Sequence, residues 1–204
     1  MGYVHLHLHS QYSLLDGAIR IKDLVKAIKD MGMNAVALTD HGNLYGAIEF
    51  YQAAKQEGIK PIIGVEAYVA PGSRFDRKTE VRSAEHGFYH LILLAQNFQG
   101  YQNLVTLVSL ANLEGYYYKP RVDKELLRQH NQGLIALSAC LGGEIANKAM
   151  ASTSAAEKAL DEYLDIFGER FYIEIQRHGL KEQDKVNPIL RQLANQKGVG
   201  MVLT

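Results

Sequence analysis

"AVALTDHGNLYGAIEFYQAAKQEGIKPIIGVEAYV", Ala35 to Val69, reads as a complete strand, helix and strand. Ala35–Thr39 is a short apolar run, and Pro61–Val69 a longer one rich in β-branched residues. Between them Leu44, Ala47, Ile48 and Tyr51 recur at the i, i+3, i+4, i+7 spacing of one helix face, and Gly58 supplies the stop. Such a unit predicts a right-handed crossover between parallel strands.

The same grammar extends in both directions. Apolar runs at Val4–His9, His90–Ala95, Leu134–Ser138, Phe171–Ile175 and Val199–Leu203 bring the expected strands to seven. Helix faces are marked by Ile21, Leu24, Val25 and Ile28, by Leu104, Leu107, Val108 and Ala111, and by Ala156, Leu160, Tyr163, Leu164 and Phe167. A last helix is expected around Ile189–Leu193, with Asn187 as cap and Pro188 in its first turn or at a kink. Strands alternating with helices predict a parallel sheet, closed as a barrel with helices outside; an open doubly wound sheet is the alternative. Two polar, irregular stretches interrupt the pattern: residues 71–86, a long surface loop, and Gly115–Arg121 "GYYYKPR".

Composition narrows the function classes. The 204 residues suit a single domain, and 22 basic residues balance 22 acidic ones, so no overall positive field recruits a polyanion. The single cysteine, Cys140, excludes an internal disulfide framework and fits a cytoplasmic setting. No signal peptide or membrane-length apolar run is present in the sequence. Gly-rich phosphate loops, a Ser-His-Asp pattern and paired glycosidase carboxylates are also missing.

In a parallel βα array the chemistry collects where the strands end. The first run, "HLHLHSQYSLLDG" (His5–Gly17), places His5, His7 and His9 on one strand face. Residues i and i+2 are about 6.6 Å apart, so His7 and His9 can converge on one ion or a close pair, whereas His5 is about 13 Å from His9 and is left as a neighbour. His41 follows the second strand, Glu66 sits in an apolar run where an unpaired carboxylate is costly, His90 enters the fourth strand and Cys140 follows the fifth. Each has a bland reading taken alone: His90 as a satisfied core histidine, Cys140 as a small buried hydrophobe, Glu66 as an ion-pair partner, Asp16 and His41 as turn residues. Together they favour a metal centre. Six or seven N, O and S ligands exceed one tetrahedral ion and imply two or three divalent cations, Zn²⁺ or Mn²⁺ first and Fe²⁺ or Mg²⁺ as alternatives. His86 and His130 are expected at the surface, and His178 near the mouth of the site.

These segments resemble the PHP (polymerase and histidinol phosphatase) family. The matching motifs are His7-Leu8-His9-Ser10 with Asp16, "LTDHGN" at His41, "GVEAYV" at Glu66, "FYHLILLA" at His90 and "LSACLGGE" at Cys140. "NFQGYQNLVTLVSLA" and "YYYKPRVDKELL" are similar to the branch at the N-terminus of bacterial replicative DNA polymerases. The resemblance implies a distorted (βα)7 barrel with His7, His9, Asp16, His41, Glu66, His90 and Cys140 as metal ligands. In members that keep the full ligand set it implies metal-dependent 3′–5′ exonuclease or other phosphoesterase activity, here with His9, His41 and Glu66 acting through metal-activated water, and in members that have lost ligands a scaffold.

The same resemblance gives DNA at a single-stranded 3′ end, further polymerase domains and replisome subunits as partners, and no membrane. Lys119 and Arg121, with Arg74 or Arg82, are candidate phosphate contacts, and Tyr116–Tyr118 a candidate base-stacking platform. The family's last motif, Asp-x-His after the seventh strand, would begin where "GMVLT" (Gly200–Thr204) ends, so residues 1–204 read as a single PHP domain cut just before it. A metal-stabilised scaffold and a stand-alone small-molecule phosphatase are the competing functions.

Overall fold

The computed structural model describes residues 2–77 and 87–204. In chain order the elements are α1 (Ile21–Asp30), β1 (Ala35–Leu38), α2 (Ala47–Gln56), β2 (Lys60–Val69), β3 (Tyr89–Ala95), α3 (Phe98–Leu113), β4 (Arg121–Val122), α4 (Lys124–Gln129), β5 (Leu134–Leu137), α5 (Glu144–Ala151), α6 (Thr153–Phe167), β6 (Phe171–Ile175), α7 (Lys181–Lys197) and β7 (Gly200–Leu203). Among the described residues the strands form one seven-stranded sheet in the order β1-β2-β3-β5-β6-β7, with β4 beside β2.

Two apolar layers flank the sheet. Val65, Leu91, Leu93, Leu134 and Ala136 belong to the large cluster that also holds α3, α5, α6 and α7 residues, and Val36 and Leu38 pack with α1 and α2. On the inner side Ala37, Ile92, Leu94, Leu137 and Ala139 meet Leu6, Ile62, Ile135, Tyr172 and Val202. Helices outside and a small apolar plug inside make this a distorted βα barrel rather than an open two-layer sheet.

Several expectations need correcting. The sheet is mixed: β3 runs antiparallel to both β2 and β5. The apolar patterning that marks these runs as strands is the same for either direction, so it carried no signal of this reversal. Val4–His9 is extended but is not a regular strand. It is joined to β1 and to Thr39 just after it by the amides of Ala37 and Thr39, which donate to the carbonyls of His5 and Leu8, and by the Leu8 amide, which donates to Thr39 Oγ1. The count of seven is made up by β4, too short for any periodic signal. Helix α7 begins at Lys181, so Pro188 lies inside it, and Asn187 instead donates its side-chain amide to the Gln176 carbonyl. Helices α4 and α5 were not expected. Asp123 caps α4 by accepting from the Leu126 amide at 2.9 Å.

The antiparallel β3 positions the site. Its first residues lie at the same rim as the ends of the parallel strands, and the register sets His90 opposite Tyr68, two residues beyond Glu66. A histidine at the start of one strand thereby reaches groups at the end of another.

Candidate metal centre

Glu66 is the hub. Its side chain is 1% exposed, and its Oε2 lies 3.2 Å from His7 Nε2, 3.0 Å from His9 Nε2 and 3.1 Å from His41 Nδ1. Its Oε1 lies 2.7 Å from His90 Nδ1 and 3.9 Å from Cys140 Sγ, which is itself 3.7 Å from that imidazole nitrogen. Asp16 Oδ2 closes the rim, 2.9 Å from His41 Nε2. Thus six of the seven expected ligands fall into three overlapping triads, His7–His9–Glu66, His9–Asp16–His41 and His41–Glu66–His90, with Cys140 against the third.

Local geometry explains why these groups meet. Gly17 ends the turn that carries Asp16, and a Cβ there would come within 1.8 Å of the Ser10 carbonyl. Gly42 has φ +61°, the left-handed turn that follows His41, and its α-carbon faces the Tyr68 ring. Ala139 adopts φ 61° without being glycine, a costly conformation placed immediately before Cys140. The ring of His41 stacks between His9, at 4.2 Å, and Tyr68, at 5.7 Å.

The electrostatics are those of donors gathered around a shared centre. Burial would raise the Glu66 carboxyl, but His7, His9 and His90 hold it well below the usual carboxylate range. Burial would lower His7 and His90; the hydrogen bond to Glu174 and the close Glu66 carboxylate hold His7 up to about 11, and Cys140 and Glu66 hold His90 up to about 10. His41 goes the other way: burial lowers it further than Glu66 raises it. Glu66 Oε2 and His41 Nδ1 lie within ion-pair distance of each other, yet neither makes a hydrogen bond of acceptable geometry. Buried polar atoms crowded together without bonding one another are what a missing common partner leaves, and N, O and S donors suit a divalent transition metal. The residues present therefore fit the implied metal.

Other candidates are placed differently. His5 packs edge-on against Tyr3, outside the triads, and His178 is exposed. Lys119 Nζ sits 5.6 Å over the Tyr68 ring, at the edge of the cluster. Arg121 corrects the expectation of a phosphate contact. It is 0% exposed and donates to the carbonyls of Gly115, Arg74 and Asp76. Arg74 is likewise engaged, with Asp123 and Glu114. Arg82 and His86 lie outside the described residues.

Sequence reasoning missed the groups behind the ligands: Glu174, which touches His7, and the Ser13–Asp40 pair, which touches His9. Glu174 carries the same sequence signal as Glu66, a carboxylate in an apolar run, "FYIEI".

Comparison with known proteins agrees with this architecture. The PHP domain family model matches residues 5–178. The chain is 56% identical over 207 residues to the DNA polymerase III subunit alpha of Thermus aquaticus, covering all of this chain and 17% of the relative. It is 50% identical to that of Deinococcus radiodurans, covering 99% of this chain and 16% of the relative. It thus spans about a sixth of the length of these curated relatives. Among solved structures, a putative metal-dependent phosphoesterase from Bifidobacterium adolescentis superposes with a TM-score of 0.62 at 14% identity, over 98% of this chain and 85% of that one. An amidohydrolase from Chromobacterium violaceum gives 0.63 at 16%, with the same coverage. A family model spanning most of the chain, close sequence relatives and a shared fold lead to one conclusion: the chain belongs to the PHP domain family.

Proposed function

We propose that the chain is the PHP module of a bacterial replicative DNA polymerase alpha subunit and that its cluster hydrolyses phosphodiesters at a DNA 3′ end. The observation that carries this reading is Glu66, a buried carboxylate facing four imidazoles and one thiol. Two or three divalent cations, Zn²⁺ or Mn²⁺ first, would supply Lewis acidity that activates water and offsets phosphoryl charge. His7, His9, Asp16, His41, Glu66, His90 and Cys140 would hold them, with His9, His41 and Glu66 nearest the reacting atoms.

The Lys119 ammonium beside Tyr68 supports its role as a contact for a phosphate oxygen at the rim. Tyr116 and Tyr118 are 56% and 74% exposed and are available to stack on an unpaired base, whereas Tyr117 lies under the Arg121 guanidinium. The partners that go with this reading are DNA, the rest of the polymerase and a cytoplasmic replisome, and residues 1–204 form one domain of that larger protein. Among the described residues no helix is long and apolar enough to cross a membrane.

A scaffold role is the second reading. On the outer wall an apolar groove of about 410 Å³ runs between α2 and α3, lined by Ile48, Tyr51, Phe98 and Tyr101, and Phe98 is 73% exposed. Such a surface suits burial against the remaining polypeptide of a longer protein.

The test is degradation of a 3′-labelled single strand by the chain and by its longer parent, with and without chelator. Hydrolysis abolished by chelation and by His9→Ala supports the nuclease reading. Metal binding with no hydrolysis in either protein leaves the scaffold, and turnover of simple phosphomonoesters alone transfers the activity to small molecules.

A further inference from the structure

Each histidine of the His7–His9 pair is gripped from outside the cluster through its other ring nitrogen. His7 Nδ1 lies 2.7 Å from Glu174 Oε1, and Glu174 is 1% exposed. That oxygen also accepts from Thr204 Oγ1 at 2.5 Å and from Gln176 Nε2 at 2.9 Å, while the Glu174 amide donates to Ser138 Oγ. Gln176 Nε2 is 3.3 Å from His7 Nδ1 as well, but a side-chain amide has no lone pair to offer there, so the carboxylate is the acceptor for the imidazole N–H.

The accounting at His9 is tighter. Ser13 Oγ has one hydrogen, which it donates to Asp40 Oδ1 at 2.7 Å; Asp40 is 2% exposed and is fixed in turn by the Ser10 amide at 2.6 Å and the Ser10 hydroxyl at 2.8 Å. The same Oγ accepts the main-chain N–H of His41 at 3.1 Å. One lone pair is left, facing His9 Nδ1 at 3.3 Å, so that contact is a hydrogen bond only when Nδ1 carries the proton.

We propose that Glu174, and Ser13 backed by Asp40, are positioning residues that lock His7 and His9 with Nδ1 protonated and present Nε2 of both to a divalent cation at Glu66. Both Nε2 atoms point there already, 3.2 Å from each other and 3.2 Å and 3.0 Å from Glu66 Oε2. Outer partners of this kind raise ligand basicity and fix ring orientation. The inference rests on the metal-binding reading above and adds which nitrogen binds and what enforces it.

Zn²⁺ affinity, measured by competition with a chromophoric chelator, is the first readout, and the ring N–H resonances of the Zn²⁺-loaded chain are the second. Glu174→Ala and Ser13→Ala should each weaken Zn²⁺ about 10- to 100-fold. Glu174→Gln and Ser13→Thr, which keep an acceptor oxygen, should recover most of the loss. The loaded wild type should show hydrogen-bonded Nδ1–H signals for His7 and His9, and the alanine variants should each lose the corresponding one. Folded alanine variants that bind within twofold of wild type overturn the proposal, as does a wild-type spectrum showing coordination through Nδ1, which requires no variant to fold. A wild-type chain that takes up neither Zn²⁺ nor Mn²⁺ sinks the metal-binding reading itself, and the positioning with it.

Discussion

At the scale of single residues, Lys119 and Arg121 show how similar charges separate by burial. Arg121 serves three carbonyls in the interior, so Arg121→Ala should cost about 2–4 kcal/mol in urea unfolding, because buried acceptors lose their donor. Lys119→Ala should leave stability nearly unchanged and weaken binding of a single-stranded oligonucleotide; equal DNA affinity for both proteins would remove Lys119 from the interface. The histidines carry a pH signature. His7 and His90 are held up to about 11 and about 10, above the ordinary histidine value, so the stability they contribute without added metal is complete below about pH 6.5 and is lost as pH rises through about 10 to 11. A cation at the cluster must displace such protons, so metal uptake at pH 7 should release protons into an unbuffered indicator solution and should tighten with pH. Uptake without proton release would contradict these protonation states. His7, His9, His41, Glu66 and His90 were legible in the sequence because each is costly or unusual in its local context. Glu174 and Asp40 were not singled out, although each becomes meaningful through the ligand it touches.

At the scale of elements, three helices meet at one buried carboxylate. Glu144 at the start of α5 pairs with Lys124 of α4 at 2.8 Å and with Lys148 at 2.6 Å, and accepts from the buried Tyr163 hydroxyl of α6 at 3.0 Å. Burial would raise its pKa, but Lys124 and Lys148 lower it below the usual value. The sign follows: this stabilisation is present above the unfolded carboxyl pKa and is lost as pH falls through the lower folded one. Glu144→Ala should therefore destabilise by about 1–3 kcal/mol at pH 7, where Tyr163 loses its acceptor, and by less at acid pH. Urea titrations at the two pH values check this, and a pH-independent loss would rule out the ion pairs. Pro188 is a second case. It is exposed inside α7, where it cannot donate to the preceding turn, so Pro188→Ala should raise stability, by up to about 3 kcal/mol. A lower melting temperature for that variant would mean that the proline's fixed φ outweighs the missing bond. This helix was the least legible from sequence, since a proline in a polar first half, "KEQDKVNP", looks like a start rather than a middle.

At the scale of the whole molecule, the alternation of strand and helix was readable because its period is long and its apolar faces are regular. The direction of β3 was not, because apolar patterning is the same for either orientation; residues 78–86 of the segment before it lie outside the described residues. The rule that chemistry gathers at strand ends nonetheless survives, since antiparallel β3 turns its beginning into a member of that rim and brings His90 to Glu66. The Val4–His9 segment has the complementary role. Its backbone pairs with β1 while His7 reaches Glu174 of β6, so it links the first strand of the sheet to the far side.

The central claim is that the folded chain holds divalent cations at Glu66 and the histidines around it. Metal stoichiometry by elemental analysis, after loading with Zn²⁺ or Mn²⁺ and exhaustive dialysis, addresses it directly for the wild type and for Glu66→Ala, with circular dichroism confirming that both are folded. The account predicts two or three ions per wild-type chain and a loss of at least one in Glu66→Ala. A wild-type chain that retains no ion, or a folded Glu66→Ala variant that retains the full complement, would contradict it.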